Sequence, residues 1–197
     1  MTGVLALEQA CEIVAALAAG SRLEIEIGCG NGHFLTEYAR DRTDALLIGV
    51  DLKPRRCEKA AQKAQRLALG HVVIVCARAE HLLDTLAPEC VDAFHLYFPD
   101  PWPKSRHRRR RFVRLPQLEV LHDRLKVGGR LYYATDFFDY YLQAKVLLLA
   151  HGGFALEETT PPPEAFVSVF GRRFADWGRR FHALVARRAE PAGGRRV

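Results

Sequence analysis

The chain has 197 residues, of which 49% are hydrophobic, and this is enough to bury the core of one α/β domain. Its apolar runs are too short to cross a bilayer, and residues 1–20 lack the basic start and cleavage site of a secretory signal, so we expect neither a membrane protein nor a secreted one. The five cysteines form no CxxC pair and the histidines have no metal-ligand spacing, which predicts a cytoplasmic protein with reduced thiols and no metal site.

The formal net charge of +6 is divided unevenly along the chain. Residues 1–103 carry 10 Lys+Arg against 14 Asp+Glu, a balance of −4, whereas residues 104–197 carry 19 against 9, a balance of +10. Arginine supplies 23 of the 29 basic residues; a GC-rich genome would explain that preference, but it would not explain the asymmetry. We therefore expect a polyanionic partner to contact the second half of the chain.

Short β-branched runs alternate with longer helical patterns, which predicts a mostly parallel sheet covered by helices on both faces. Strands are predicted over residues 23–27, 46–51, 72–76, 91–98, 130–135, 154–157 and 181–186, and helices over 8–19, 33–40, 55–69, 111–125 and 137–150, with a helix stop and turn at 126–129. The pattern predicts an α/β, Rossmann-like fold with a seven-stranded sheet. We expect residues 1–22 to form a helix packed on a single domain at 23–190, and residues 191–197 to be a disordered tail.

The first predicted strand runs into a glycine-rich turn that precedes a helix. Glu26 ends the strand, and Gly28, Gly30 and Gly32 follow it, so that the backbone can approach a ligand closely. An NAD site normally has the spacing GxGxxG, and an acid beside it would repel the pyrophosphate but would suit the ammonium group of a methionine moiety. Asp51, at the end of the second strand, could accept hydrogen bonds from ribose hydroxyls. This combination favours S-adenosylmethionine over NAD.

The third predicted strand should deliver an adenine contact near Ala79. Methyltransferases that use S-adenosylmethionine often have an acid where Arg78 stands. The backbone around Ala79, or the side chain of Glu80, would then have to bind the adenine amino group.

An acid stands between prolines at the end of the fourth predicted strand, in the segment YFPDPWPK (residues 97–104). Each proline fixes its own φ and pushes the preceding residue toward extended geometry, so we expect Phe98, Asp100 and Trp102 all to be extended. Prolines also simply end strands, but three of them around one acid exceed what termination requires. The pattern predicts a rigid Asp100 carboxylate beside an aromatic ring that could stack on a base.

A basic run follows directly, with Lys104, Arg106 and Arg108–Arg111 giving six cations in eight residues. Such runs are most often solvated surface, but next to a candidate active site we expect them, Arg108 and Arg109 included, to contact phosphates. Asp136 follows the fifth predicted strand and is a second acid predicted at the edge of the sheet where Asp100 lies.

Taken together, EIGCGNG, FPDPWPKSRHRRRRF and ATD resemble the tRNA (guanine-N7-)-methyltransferase family over residues 23–184. The resemblance implies a class I methyltransferase that uses S-adenosylmethionine and acts on tRNA, at the variable-loop guanine (position 46 in tRNA convention). It implies that Glu26 and Asp51 bind the cofactor, that Asp100 serves both cofactor and catalysis, and that Lys104 and Asp136 contact the substrate. Of the family's C-terminal motif, Thr-x-[Phe/Tyr]-Glu, this chain keeps a hydroxyl and an aromatic, Ser168 and Phe170, as further substrate contacts.

Two departures from the family pattern leave alternatives open. Arg78 replaces an acid, and Gly171 stands where the family has a glutamate. A methyltransferase that acts on a small molecule would explain the glycine turn and Asp51, but not the acid between prolines or the basic half. A degenerate member that binds tRNA without catalysis would explain the two departures. The sequence is compatible with a monomer or a homodimer.

Overall fold

The computed structural model describes residues 3–16, 20–166 and 181–190. Within them eight strands form one sheet, in the order β1-β4-β3-β2-β5-β6-β8-β7. The strands are β1 (Val4–Leu5), β2 (Arg22–Ile27), β3 (Ala45–Asp51), β4 (Val72–Cys76), β5 (Val91–Tyr97), β6 (Leu125–Thr135), β7 (Phe154–Glu157) and β8 (His182–Arg188). Strand β8 is antiparallel to both β6 and β7, and the remaining pairs are parallel. The α/β, Rossmann-like prediction is confirmed, and the additional strand is the two-residue β1, too short to show a sequence pattern.

Six α-helices connect these strands within the described ranges: α1 (Leu7–Ala15), α2 (His33–Tyr38), α3 (Pro54–Arg66), α4 (Ala79–Thr85), α5 (Leu115–Arg124) and α6 (Phe138–His151). Helix α4 was not predicted, because seven residues with two buried leucines carry almost no helical period. The helix predicted from residue 111 begins only at Leu115, since residues Ser105–Arg110 form a separate 3-10 helix and Pro116 stands in the first turn of α5.

The predicted turn at residues 126–129 lies inside β6 rather than between a helix and a strand. Leu125 already pairs with Val91, whereas Arg130 pairs with Ala93, so the residues between them form a bulge. Gly128 has φ +80°, a value that glycine adopts without strain. The glycines therefore interrupt a strand that has already begun.

A buried polar network holds β2 beside β5 below the site. The Glu24 carboxylate accepts hydrogen bonds from the Tyr38 hydroxyl (3.0 Å) and from Nε2 of His95 (2.8 Å). Burial opposes ionisation of Glu24, but these partners and Arg22 outweigh it and lower its pKa, while burial lowers the pKa of His95. The two strands are thus joined through side chains as well as through their backbones.

The N-terminal segment contacts the sheet, because β1 pairs with β4 and Ala10 of α1 is buried in the core. The predicted tail at 191–197 lies outside the described residues. The division of the chain at residues 22 and 190 stays a prediction.

Candidate active site

A cavity of about 550 Å³ opens at the carboxyl ends of the central strands. Open α/β sheets bind ligands at this edge, where several strand ends converge. The predicted site residues in its wall are Gly28, Asp51, Ala79, Asp100 and Arg109. The predicted site residues that are described but are not part of the wall are Glu26, Gly30, Gly32, Lys104, Arg108 and Asp136. The structure therefore brings the glycine-rich turn and the acid between prolines to one cavity.

Glu26 directly precedes Ile27 and Gly28, which line this cavity, and it has an unsatisfied carboxylate oxygen. The residue is only 5% exposed, and its Oε2 atom has no hydrogen-bond partner among the described residues. Burial, reinforced by the Asp51 charge, raises the pKa of Glu26 to about 8, against weaker opposing effects of the Leu35 backbone and Lys63. A buried, unsatisfied carboxylate is costly unless a cation joins it. The site therefore fits the ammonium group of S-adenosylmethionine.

The glycine-rich turn has two different reasons for its glycines. Gly28 has φ +79°, and a Cβ there would point into open space, so the requirement is conformational. Gly32 has φ +69°, and a Cβ there would lie 2.9 Å from Cβ of Ala60, so α2 and α3 would have to separate. One glycine shapes the wall of the cavity, and the other allows two helices to pack behind it.

Asp51 is held by backbone donors at the end of β3. Its Oδ2 accepts a hydrogen bond from the Gly30 N–H (3.1 Å), and its Oδ1 accepts one from the Lys53 N–H (2.8 Å). Each carboxylate oxygen has a second lone pair. The carboxylate is therefore fixed in the cavity wall and can still accept hydrogen bonds from ribose hydroxyls.

Arg78 precedes α4, and its exposed guanidinium lies 3.2 Å from the carboxylate of Glu80. Both side chains, and Ala79 between them, line the cavity. This chain lacks the acid that the family pattern has at position 78, but Glu80 places an acid two residues later, paired with Arg78.

Four residues of the segment 98–103 form one rim of the cavity: Phe98, Pro99, Asp100 and Trp102. Phe98 has φ +49° and Trp102 has φ +42°, so the prediction that both are extended is wrong. A following proline excludes the helical region, but it does not decide the sign of φ. Positive φ is unusual for bulky residues and persists only where surrounding contacts hold it. The Phe98 N–H supplies one such contact, a 2.8 Å hydrogen bond to the Ala134 carbonyl.

Arg111 ties this rim to α6 and is not an RNA contact, so the expectation that all four arginines at 108–111 meet phosphates is wrong for it. The residue is 1% exposed, and its Nε donates to the Pro101 carbonyl at 2.8 Å. Its other nitrogens donate to Gln143 and, at 2.8 Å, to Asp139. The guanidinium also lies 4.8 Å from the centre of the Tyr140 ring. Because Pro101 directly follows Asp100, we expect Arg111 to position the predicted catalytic acid.

The other residues of the basic run are on the surface. Arg108 donates to Asp139 at 2.8 Å, so a phosphate would have to share or displace that partner. Lys104, Arg106, Arg109 and Arg110 are exposed, and Arg109 and Arg110 line the cavity. The sequence did not indicate Asp139, because it lies 28 residues beyond Arg111; its spacing of four from Gln143 on one helix was the available signal.

Asp136 follows β6 and is partly buried. Ser168, Phe170 and Gly171 lie outside the described residues. Their predicted contributions to substrate binding stay predictions. In the part of the chain that the structure describes, no helix is long and apolar enough to span a membrane, and no group of three or more His, Cys, Asp or Glu side chains could hold a metal ion.

The doubly wound sheet, the glycine-rich turn and its two acids define an S-adenosylmethionine-dependent methyltransferase. A solved 30S ribosomal A1408 methyltransferase from an uncultured bacterium has the same fold, with TM-score 0.67 and 16% identity over 95% of this chain and 98% of that one. Residues 21–182 match the model of a family described as "Putative methyltransferase".

Two curated relatives, both named tRNA (guanine-N(7)-)-methyltransferase, define the family more closely. The protein from Rubrobacter xylanophilus is 33% identical over 80% of this chain and 71% of its own length. The protein from Syntrophotalea carbinolica is 32% identical over 84% of this chain and 74% of its own length. The chain belongs to the tRNA (guanine-N7-)-methyltransferase family.

The contrast between Arg111 and Arg109 yields a first prediction. Arg111→Ala should lower kcat by about 100-fold, since a displacement near 1 Å can have that effect, and should leave the salt dependence of tRNA binding unchanged. Arg109→Ala should make the slope of log K against log salt shallower by about 1 and leave kcat near wild type. Filter binding at several salt concentrations and single-turnover kinetics measure the two effects. If Arg111→Ala changed only the salt slope, the positioning role would be wrong; Arg111→Lys, which keeps the charge, should recover part of the rate.

Proposed function

We propose that this chain transfers a methyl group from S-adenosylmethionine to N7 of a guanine in tRNA, and that its target is the variable-loop guanine. The observation that carries the proposal is that Asp100 lines the same cavity as Gly28 and Asp51. A carboxylate at the cofactor cavity, next to a basic surface, suits a nucleobase that becomes cationic. The family of the chain supports the same reaction.

The chemistry requires little proton transfer from the protein. Guanine N7 has a lone pair and no proton, so no residue has to act as a general base. S-adenosylmethionine, when bound, supplies a methyl group activated by a sulfonium charge. The task of Asp100 is to accept hydrogen bonds from the N1–H and N2–H₂ donors of the guanine and to place negative charge near the ring as it becomes positive. Glu26 and Asp51 hold the amino acid and ribose parts of the cofactor.

The basic run binds the polyanionic substrate. Exposed cations next to the cavity neutralise phosphates and bring the RNA backbone to the rim. Asp100 can bind the Watson–Crick edge of the guanine while N7 faces the cofactor only if that edge is not base-paired. The target base should therefore lie outside a duplex, as in a loop. We place the enzyme in the cytoplasm, where unmodified tRNA is processed.

Incubation with labelled S-adenosylmethionine and unmodified tRNA, followed by nucleoside analysis, tests the proposal. We expect label in N7-methylguanosine, and loss of that label when the variable-loop guanine of the transcript is replaced by adenine. Label only in a small metabolite of a cell extract would favour a small-molecule methyltransferase. No label, with intact tRNA binding, would favour a degenerate binding protein. Label that survives the adenine replacement would move the target to another guanine.

A further inference from the structure

We propose that the indole of Trp102 is the stacking platform for the target guanine, and that the Arg110 guanidinium occupies this platform until RNA displaces it. The proposal rests on the proposed function, since it assigns the residue that holds the base. It concerns a pair of residues that line the cofactor cavity together.

The first step is the fixed position of the indole relative to Asp100. Trp102 is two residues from Asp100, and its backbone has φ +42° between two prolines. The Pro101 carbonyl, which lies between them, is bound by the buried Arg111 at 2.8 Å. A base lying on this ring would therefore share the cavity with the carboxylate of Asp100, and the backbone between the two residues is held by Arg111.

The second step is the contact that the ring already makes. The Arg110 guanidinium carbon lies 4.9 Å from the centre of the indole, over its face, while His107 approaches the ring at 5.8 Å with an interplanar angle of 89°. A flat, charged group on an aromatic face occupies the place that a purine would take.

The third step is that Arg110 can be displaced easily. Arg108 and Arg111 both donate to Asp139, whereas Arg110 is exposed and has no acidic partner within 4 Å among the described residues. An exposed cation–π contact contributes roughly 2- to 5-fold to an equilibrium constant. Stacking of a base on an aromatic side chain contributes roughly 5- to 150-fold. A guanine should therefore displace Arg110 from the indole, and the released guanidinium can bind a phosphate.

Two leucine substitutions test the platform. Trp102→Leu should lower kcat/KM for tRNA by roughly 5- to 150-fold, because leucine is apolar but has no aromatic face, while Trp102→Phe should stay within about fivefold of wild type. Phe138→Leu is the matched control, since this exposed aromatic lies outside the cavity. Equal activity of the leucine and phenylalanine variants at position 102 would overturn the platform.

Tryptophan fluorescence measures the stacking of the base on Trp102 without requiring methyl transfer. A tRNA transcript should quench the emission of the wild-type chain more than that of Trp102→Phe, and this difference should vanish with a transcript that is abasic at the target position. Should wild-type enzyme form no N7-methylguanosine but still show this difference, the proposed function would fail while the platform would stand. An unchanged difference with the abasic transcript would reject the platform even if the enzyme is active.

The role of Arg110 is separated from phosphate binding by using guanosine, which has no phosphate. Arg110→Ala removes the competing occupant and should strengthen guanosine binding roughly 2- to 5-fold. Arg66→Ala, which removes an exposed arginine of α3 outside the cavity, is the control that should not change it. The same Arg110→Ala variant should weaken tRNA binding at low salt, because a phosphate contact is lost. Unchanged or weaker guanosine binding in Arg110→Ala would show that the arginine does not occupy the platform.

Discussion

Replacing Asp100 with alanine is expected to reduce the formation of N7-methylguanosine by about 1000-fold while S-adenosylmethionine affinity changes by only a few fold. The carboxylate is exposed at the cavity rim, so its loss would remove the proposed contact to the base and a negative charge near the methylated ring without opening the core. Single-turnover rates with saturating enzyme measure the first effect, and calorimetric titration with the cofactor measures the second.

An isosteric variant distinguishes charge from contact. Asp100→Asn keeps the size of the side chain and one acceptor but loses the charge, so its rate should lie between those of wild type and the alanine variant. Asp84→Asn, on the exposed side of α4 and outside the cavity wall, is the control for a lost surface charge and should be fully active. Undiminished N7-methylguanosine formation by Asp100→Ala would remove this residue from the mechanism.

Replacing Glu26 with glutamine is expected to weaken S-adenosylmethionine binding by roughly 100-fold or more, because the ligand ammonium would lose its buried charged partner. The same change should stabilise the ligand-free chain at pH 8. Glu37→Gln, which removes a partly exposed carboxylate of α2, should do neither. Thermal unfolding with and without the cofactor measures both effects, and a destabilised free protein would contradict the assignment.

The pH dependence of this stability has a definite sign. The pKa of Glu26 rises from an ordinary value of 4.5 to about 8, so between these values the folded chain holds a proton that the unfolded chain has released. The free energy of unfolding should therefore fall as pH rises from 4.5 to 8, by at most roughly 5 kcal/mol from this group. Glu26→Gln should lose that slope. The advantage of the variant should be greatest near pH 8 and absent near pH 4.5.

The sequence was most informative where a local pattern decides the structure. Alternating apolar runs located all seven predicted strands, and the acids at the ends of β2 and β3 indicated the cofactor correctly. Asp100 could be singled out because prolines on both sides are visible without any knowledge of the fold. These features depend on residues that are close together in the chain.

The predictions that were wrong have a different physical origin. Arg111 belongs to a run of arginines, and only the position of α6 shows that its partner is Asp139 and that it is buried. The positive φ values of Phe98 and Trp102 depend on tertiary contacts, whereas the proline rule restricts local geometry. Residues of one type in one run can thus have opposite roles, and sequence alone does not separate them.

The connection between Arg111 and the Pro101 carbonyl has a consequence for the kinetics of RNA capture. A rim that is already rigid has little backbone entropy to lose on complex formation, so association should be limited by diffusion and electrostatic steering rather than by loop ordering. The association of tRNA should then be fast and nearly insensitive to solvent additives that favour compact chains. Loss of the Arg111–Pro101 hydrogen bond should add a slow phase to the time course of tRNA binding, and the rate of that phase should not depend on concentration.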